Sequence, residues 1–456
     1  MNRAPGRRWI ALGGLLVLFL LGFGVWRNHH VIALGVGYKA KMICSGVFVA
    51  GRDLDAVLTD LHVDDLALLR YIPVSVDRET KTVTTRAPGL FTRRAVYRDG
   101  LGCALIHDGP DRLPIPRRDL PQPKPISDDL VLAVVATPGN DRLDRVIALA
   151  FEEPDIQKLR RTNAVVVLHR GKLVAEKYAP GMSADTPQIG WSMAKSVMSA
   201  LAGILVQRGR LRVDAPVPVP EWAGDERRTI TLDHLLRMSS GLEFDESMSS
   251  ANADVMRMLF GTEDASGFAL AKWLSSPPGT TWRYSSGTTN IVARVLRNVL
   301  QNDDEYLDLP QRALFEPIGM KGATLEADGS GTFVGSSFMY ATARDWARFG
   351  QLYLQDGMWS GERVLPAGWV AYTTSPAPAD PLKGYGAHFW LDVPDGYRGP
   401  ECRLPLGTFH AAGHEGQFVT IVPSREAVIV RLGRTRVPGG WNQCAFVADV
   451  LAALAG

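Results

Sequence analysis

Residues 189–200 read IGWSMAKSVMSA and place Ser192 and Lys195 three positions apart in a run of small and apolar residues. The run predicts the start of a buried helix, and positions i and i+3 of a helix lie on one face, one turn apart. Gly190 and Trp191 precede the serine. That sets Ser192 in the first turn, where free backbone N–H groups point outward and the helix dipole favours negative charge. Lysine is rarely buried without a partner, so two readings fit. In one, Ser192 caps the helix and Lys195 reaches water. In the other, burial lowers the lysine pKa until its neutral amine can take the proton of the serine hydroxyl, a poor nucleophile by itself.

Two further stretches weigh on that choice. Residues 277–296, PPGTTWRYSSGTTNIVARVL, set Tyr284 and Ser286 between a Pro-Gly turn and a helix. Residues 409–424, FHAAGHEGQFVTIVPS, set a bend at Gly413-His414-Glu415-Gly416 at the head of a strand. A second proton carrier and an oxyanion-binding N–H could converge on Ser192 from these two places.

These segments carry a resemblance. WSMAKS (191–196), ITLDHLLRMSSGLEF (230–244), YSSGTTN (284–290), EPIGMKGA (316–323) and ARDWARFGQLYLQDG (343–357) follow one another in order. Over residues 140–456 the chain resembles the serine hydrolases of the class C β-lactamase and penicillin-binding-protein family. The resemblance implies a β-lactamase/transpeptidase-like fold and acyl-enzyme chemistry without metal or cofactor. It implies Ser192 as nucleophile, Lys195 as base and Tyr284 as proton relay. The N–H of Ser192 and an N–H near His414 would form the oxyanion hole, with Ser286 and Gly413 beside the substrate.

Two departures bear on the substrate. The second family box reads Tyr284-Ser285-Ser286, with serine where the family usually has asparagine. The third reads Ala411-Ala412-Gly413, with alanine where a lysine or histidine usually helps to hold a carboxylate. A methyl group offers neither charge nor donor; His410 or His414 would have to compensate. The pattern looks more like the esterase and amidase branches, including the 6-aminohexanoate-dimer hydrolases. A D-alanyl-D-alanine peptidase or β-lactamase is the second expectation, and a catalytically silent module binding cell-wall or acyl ligands is the third.

Other candidates are read as follows. His234 on a short helix is a structural histidine. Asp245 and Glu246 lie on a loop that could rim the pocket. His414-Glu415 lacks the second histidine of a zinc motif. Arg431, Arg434 and Arg436 near the last strand could bind an anionic substrate, with a solvated strand end the favoured reading.

The remaining sequence fixes the setting. The chain has 456 residues, 46% hydrophobic and 21% charged, with a net charge of +2. This is an ordinary globular balance, and without a basic stripe it gives no reason to expect nucleic acid as a partner. Residues 10–26 are uncharged and almost wholly apolar, follow Arg3, Arg7 and Arg8, and are flanked by Trp9 and Trp26. They are expected to form an inner-membrane anchor, with a signal peptide cleaved after Ala33 as the alternative; both place the rest of the chain in the periplasm. Cys44, Cys103, Cys402 and Cys444 are the four cysteines, with Cys44–Cys103 and Cys402–Cys444 the expected bridges in an oxidising compartment.

Three regions are expected: an anchor over 1–35, a small β-rich head with a Pro-rich linker over 36–125, and the hydrolase domain over 126–456. The head is read as strands in 44–53, 80–87 and 93–106. The hydrolase domain runs from a helix (142–153) and a hairpin about Arg170-Gly171 through a mostly helical middle. It returns to strands at 385–393, 416–423 and 426–433, then closes with a helix from 441. That order predicts an α+β fold with an antiparallel sheet built from both ends and helices inserted between.

Overall fold

The computed structural model describes residues 28–87, 89–107, 140–247 and 250–455. The expected anchor at 10–26 and most of the Pro-rich linker lie outside the described residues.

The first helix, α1 (His29–Cys44), runs without a break through Ala33 and residue 35. It continues as a π-helical turn, Ser45–Val49, where the sequence suggested a strand. The valines and phenylalanine of that turn favour a strand locally, but Gly46 lies so close to Val57 of α2 (Leu54–Leu61) that its missing Cβ would sit 2.8 Å from the valine. Helix packing decides the conformation there. Together α1 and its extension, His29–Val49, are long and apolar enough to cross a membrane, yet 72% of the most apolar window is buried within the protein.

Four antiparallel strands follow in sequential order: β1 (Val74–Asp77), β2 (Thr82–Ala87), β3 (Phe91–Arg98) and β4 (Gly102–Ile106). Helix α1 lies across them, and the hydroxyl of Thr85 donates to the Val36 carbonyl at 2.8 Å. The Cys44–Cys103 bridge joins the end of α1 to β4. This unit is docked on the rest of the molecule. A Cβ at Gly37 would fall 2.5 Å from the Phe260 carbonyl, so the helix backbone itself touches the larger domain. Lys41 forms a buried ion pair with Glu326, and the Cys103 N–H donates to Glu326 at 2.7 Å.

The larger domain is an α+β unit. It opens with α3 (Asp141–Leu149) and the hairpin β5 (Thr162–His169) and β6 (Lys172–Tyr178). Arg170 and Gly171 both take positive φ, as a two-residue hairpin turn requires. The chain returns at its far end as β7 (Phe409–Gly413), β8 (Gln417–Val422) and β9 (Ala427–Gly433). The sheet order is β7-β8-β9-β5-β6, antiparallel throughout. Alternate residues of β5 feed two different cores. Ala164, Val166 and Leu168 face the inserted helices; Val165 and Val167 face α3 and the last helix. This explains an unbroken apolar strand, since both faces are covered.

Three long helices position the site: α4 (Met193–Gln207), α5 (Ser286–Leu300) and α6 (Ala343–Leu354). The closing helix α7 (Gln443–Leu454) is tied down by the Cys402–Cys444 bridge. Residues 385–393, expected as a strand, instead form turns with isolated bridges from Trp390 to Tyr385 and to His410.

Candidate active site

Ser192 is the N-cap residue of α4, with Lys195 one turn inside. The turn is tight. Trp191 takes φ +46, a left-handed conformation that costs roughly 1–2 kcal/mol for a residue with a Cβ. Its neighbours hold it there. The indole N–H donates to Glu415 at 3.3 Å, and the ring meets His414 edge-on at 5.6 Å. Gly190 has no room for a side chain, because a Cβ would lie 2.4 Å from the Trp346 ring.

Lys195 is 1% exposed, so it does not reach water. Its Nζ spends its donors on three oxygens: Ser192 Oγ at 2.9 Å, Ser286 Oγ at 3.0 Å and the Ser336 carbonyl at 3.1 Å. Burial pushes its pKa down to about 8, with the charge of Glu246 opposing the shift. The carbonyl partner is itself held, since Ser336 N–H donates to Asn290 Oδ1 at 3.1 Å.

Ser285 and Ser286 divide their work. The Ser285 side chain caps α5 by accepting from Thr288 N–H at 3.1 Å. Ser286, the first residue of α5, turns its hydroxyl to Lys195 on one side and donates it to Glu246 on the other. The same carboxylate accepts the Ser286 N–H at 2.7 Å. Glu246 is partly buried as a residue, and burial raises the pKa of its carboxylate, with Lys195 opposing. Sequence reasoning placed Glu246 only on a possible rim. Its loop carries no periodicity, and only the fold brings it under α5.

Tyr284 and Ser192 line the same cleft, and the Ser192 side chain lies close enough to act on the Tyr284 phenol. Lys195 Nζ lies 4.9 Å from the centre of its ring. Burial and the nearby Glu246 charge hold the phenol well above its ordinary pKa, so it carries its proton. Trp390 and Tyr385 pack against the ring at 5.3 and 5.8 Å and fix its direction.

The bend at 413–416 faces the serine. A Cβ on Gly413 would lie 2.2 Å from the Gly190 carbonyl and 3.1 Å from Ser192 N. Glycine is required here by proximity, since φ is an ordinary −136. Glu415 turns back at φ +61. Arg431 holds the bend from beneath, donating to the carbonyls of Glu415 and Gly416 at 3.2 and 2.8 Å. This corrects the expected solvated strand end, because Arg431 is fully buried and stacks on Trp441 at 4.5 Å.

The histidines separate. His410 points away from the serine: it is buried, bonded to Thr420 Oγ1 at 2.8 Å and pushed down to about 3, hence neutral. It cannot replace the missing cation. His414 is exposed and lines the cleft. His234 sits in a capping box with Thr231 and packs over the turn at Gly279, a structural position.

Ser192, Tyr284, Ser286, Gly413 and His414 thus open onto one cleft. Its walls are Trp191, Trp390 and Tyr397 with Val255 and Leu259. Apolar walls with a few convergent polar groups are the usual design of small-molecule sites. Among the described residues lining it, none is a lysine or arginine.

Comparisons with known proteins bear on the family and the fold. The Beta-lactamase family profile matches residues 148–450. A 6-aminohexanoate-dimer hydrolase of Paenarthrobacter ureafaciens is 26% identical over 341 residues, covering 70% of this chain and 86% of that protein. Among solved structures, a penicillin-binding protein homolog from Caulobacter crescentus superposes with a TM-score of 0.54 at 18% identity, covering 70% of this chain and 98% of the other. A family VIII carboxylesterase superposes with a TM-score of 0.52 at 16% identity, covering 70% and 97%. These two likenesses speak for the fold. The family match spans well over half of the chain, and the chain belongs to the Beta-lactamase family of serine hydrolases.

Proposed function

We propose that the protein is an exported, membrane-anchored hydrolase that cleaves linear amide or ester bonds through an acyl-Ser192 intermediate. The observation that carries this is the contact of a buried, pKa-lowered Lys195 with Ser192 Oγ at 2.9 Å, at the mouth of an apolar cleft. In its neutral form Lys195 accepts the Ser192 proton as Oγ attacks the substrate carbonyl. The N–H of Ser192, with one from the 413–416 bend, receives the developing oxyanion. Tyr284 keeps its proton at neutral pH and is suited to give it to the leaving nitrogen or oxygen, recovering one from Lys195. Water then attacks the acyl group by the reverse path and frees the acid. Glu246, through Ser286, is a positioning residue that keeps the lysine facing the serine.

A linear substrate is favoured over a β-lactam. No lysine or arginine among the described residues lines the cleft to meet a lactam carboxylate, and His410 is neutral and elsewhere. The similarity to the 6-aminohexanoate-dimer hydrolase points the same way. Export rests on residues 10–26 and on the two disulfides, which suit an oxidising compartment.

The test is intact mass of the full-length protein after a fluorophosphonate. An adduct on wild type and none on Ser192→Ala is expected. A well-folded wild type without adduct would overturn the nucleophile. Faster turnover of nitrocefin than of nitrophenyl esters and linear amides would overturn the substrate class.

A further inference from the structure

A second, smaller cavity lies behind the 413–416 bend, at the seam between α1, α2 and the hydrolase sheet. Neither Ser192, Lys195 nor Tyr284 lines it. One wall is polar, with Arg52, Arg434 and Gln188; another is apolar, with Met42, Val57 and Ile189.

The charges of the polar wall do not cancel. Arg52 meets Asp60 at 2.5 Å, and Arg434 touches the same carboxylate. Arg436, also on this wall, meets Glu415 at 2.8 Å. Three guanidiniums therefore share two carboxylates, and one positive charge is in excess. Arg434 is pushed down to about 9, by burial first and then by Arg52 and Arg436. A crowded, poorly solvated cation is what an added anion relieves.

Gln188 is the second, independent sign of a ligand. It is 7% exposed, and neither its amide oxygen nor its amide nitrogen has a hydrogen-bond partner among the described residues. Arg434 Nε likewise lacks one. Buried polar side chains without partners are rare in folded proteins. Both residues are among those that line the cavity.

We propose that this seam cavity is a binding site for a small monocarboxylate bearing a short apolar chain. The carboxylate sits on the Arg434 fork, with the Gln188 amide N–H as a further donor and Arg52 supplying the opposing charge. The chain lies along Met42, Val57 and Ile189. A single excess charge selects a monoanion, and the apolar wall selects a tail over a bare inorganic ion. The assignment is independent of the chemistry proposed at Ser192.

The probe is sodium hexanoate, titrated calorimetrically into the full-length protein in detergent, with 1-hexanol and inorganic phosphate as controls. Saturable binding of hexanoate is expected, with no binding of the alcohol. Arg434→Met and Gln188→Leu should each weaken it by about tenfold or more, the size of a lost hydrogen bond to a charged group. Gln188→Leu leaves every charge in place, so it carries the test if Arg434→Met does not fold. In crystals soaked with 6-bromohexanoate, anomalous bromine density should appear in the seam cavity. No binding, phosphate binding as tight as hexanoate, equal affinity in a folded variant, or bromine found only beside Ser192 would each overturn the proposal.

Discussion

Two buried lysines in this molecule each sit beside a serine, a glutamate and a tyrosine. In the first cluster Lys41 touches Glu326 directly, Ser45 hydrogen-bonds both of them, and Tyr340 lies close enough to be acted on by Glu326 and Ser45. Phe338 covers the amine at 4.2 Å. In the second, Ser286 stands between Lys195 and Glu246, Tyr284 lies beside a further serine, and a cleft opens above. The residue types match, and the wiring differs. Direct contact with an acid neutralises the first lysine in place and makes it a fastener between two regions. Burial lowers the pKa of both amines, and an interposed hydroxyl leaves the second one unpaired by direct contact and joined to the cleft through Ser192. Inventory does not make a base; order of contact and access do.

Exchanging the serines should break the comparison most sharply. Ser192→Ala is expected to lower kcat/KM by on the order of 10³-fold or more and to abolish the fluorophosphonate adduct. Ser45→Ala should leave both intact and lower only the melting temperature. Loss of turnover in a folded Ser45→Ala protein would show that the sealed cluster matters to the chemistry.

The lysines should part in the same way. Lys195→Met is expected to remove activity with the fold retained. Lys41→Met leaves Glu326 buried and unpaired, at a cost of about 3–5 kcal/mol, visible as a lower denaturant midpoint. Activity per folded molecule should stay near wild type.

A smaller loss, about 10²-fold, is expected for Gly413→Ala, whose methyl collides with the Gly190 carbonyl and crowds Ser192 N. A KM change with kcat preserved would argue against an oxyanion site there.

The gentlest change sharpens the wiring argument. Lys195 must be neutral to act as a base, so kcat/KM should rise with pH and level off above about 8. The folded pKa lies below the ordinary 10.5. Between those values the unfolded chain binds more protons, and this group's contribution to stability rises with pH. Glu246 opposes the lowering, so Glu246→Gln should shift the rising limb of the pH profile toward acid, with less than about a tenfold loss at the plateau. A shift toward base would reverse the assigned coupling.

Much of the site is legible in the sequence, because helix starts and tight turns have local signatures. Ser192 and Lys195 are spaced by the helix period, and Tyr284 and Ser286 follow a Pro-Gly turn. The order of strands, helices and strands correctly points to a sheet closed from both chain ends. What escapes is set by contacts distant in sequence. Glu246 is recruited from a loop forty residues before Ser286. Arg431 looks like a strand-end cation until five carbonyl and hydroxyl oxygens are found around its guanidinium. The 44–49 run has strand-forming residues and is helical because α2 packs on Gly46. The 385–393 run alternates like a strand but turns back to build the aromatic wall behind Tyr284.

The close approach of Gly37 to the Phe260 carbonyl has a practical side. Trimming the polypeptide to residues 140–456 would keep every group proposed for chemistry. It would also strip the cover from Phe260 and Phe338 and leave Glu326 without its cation. Such a fragment should precipitate or swell during purification, and low turnover from it would report a missing lid on the core instead of a poor enzyme.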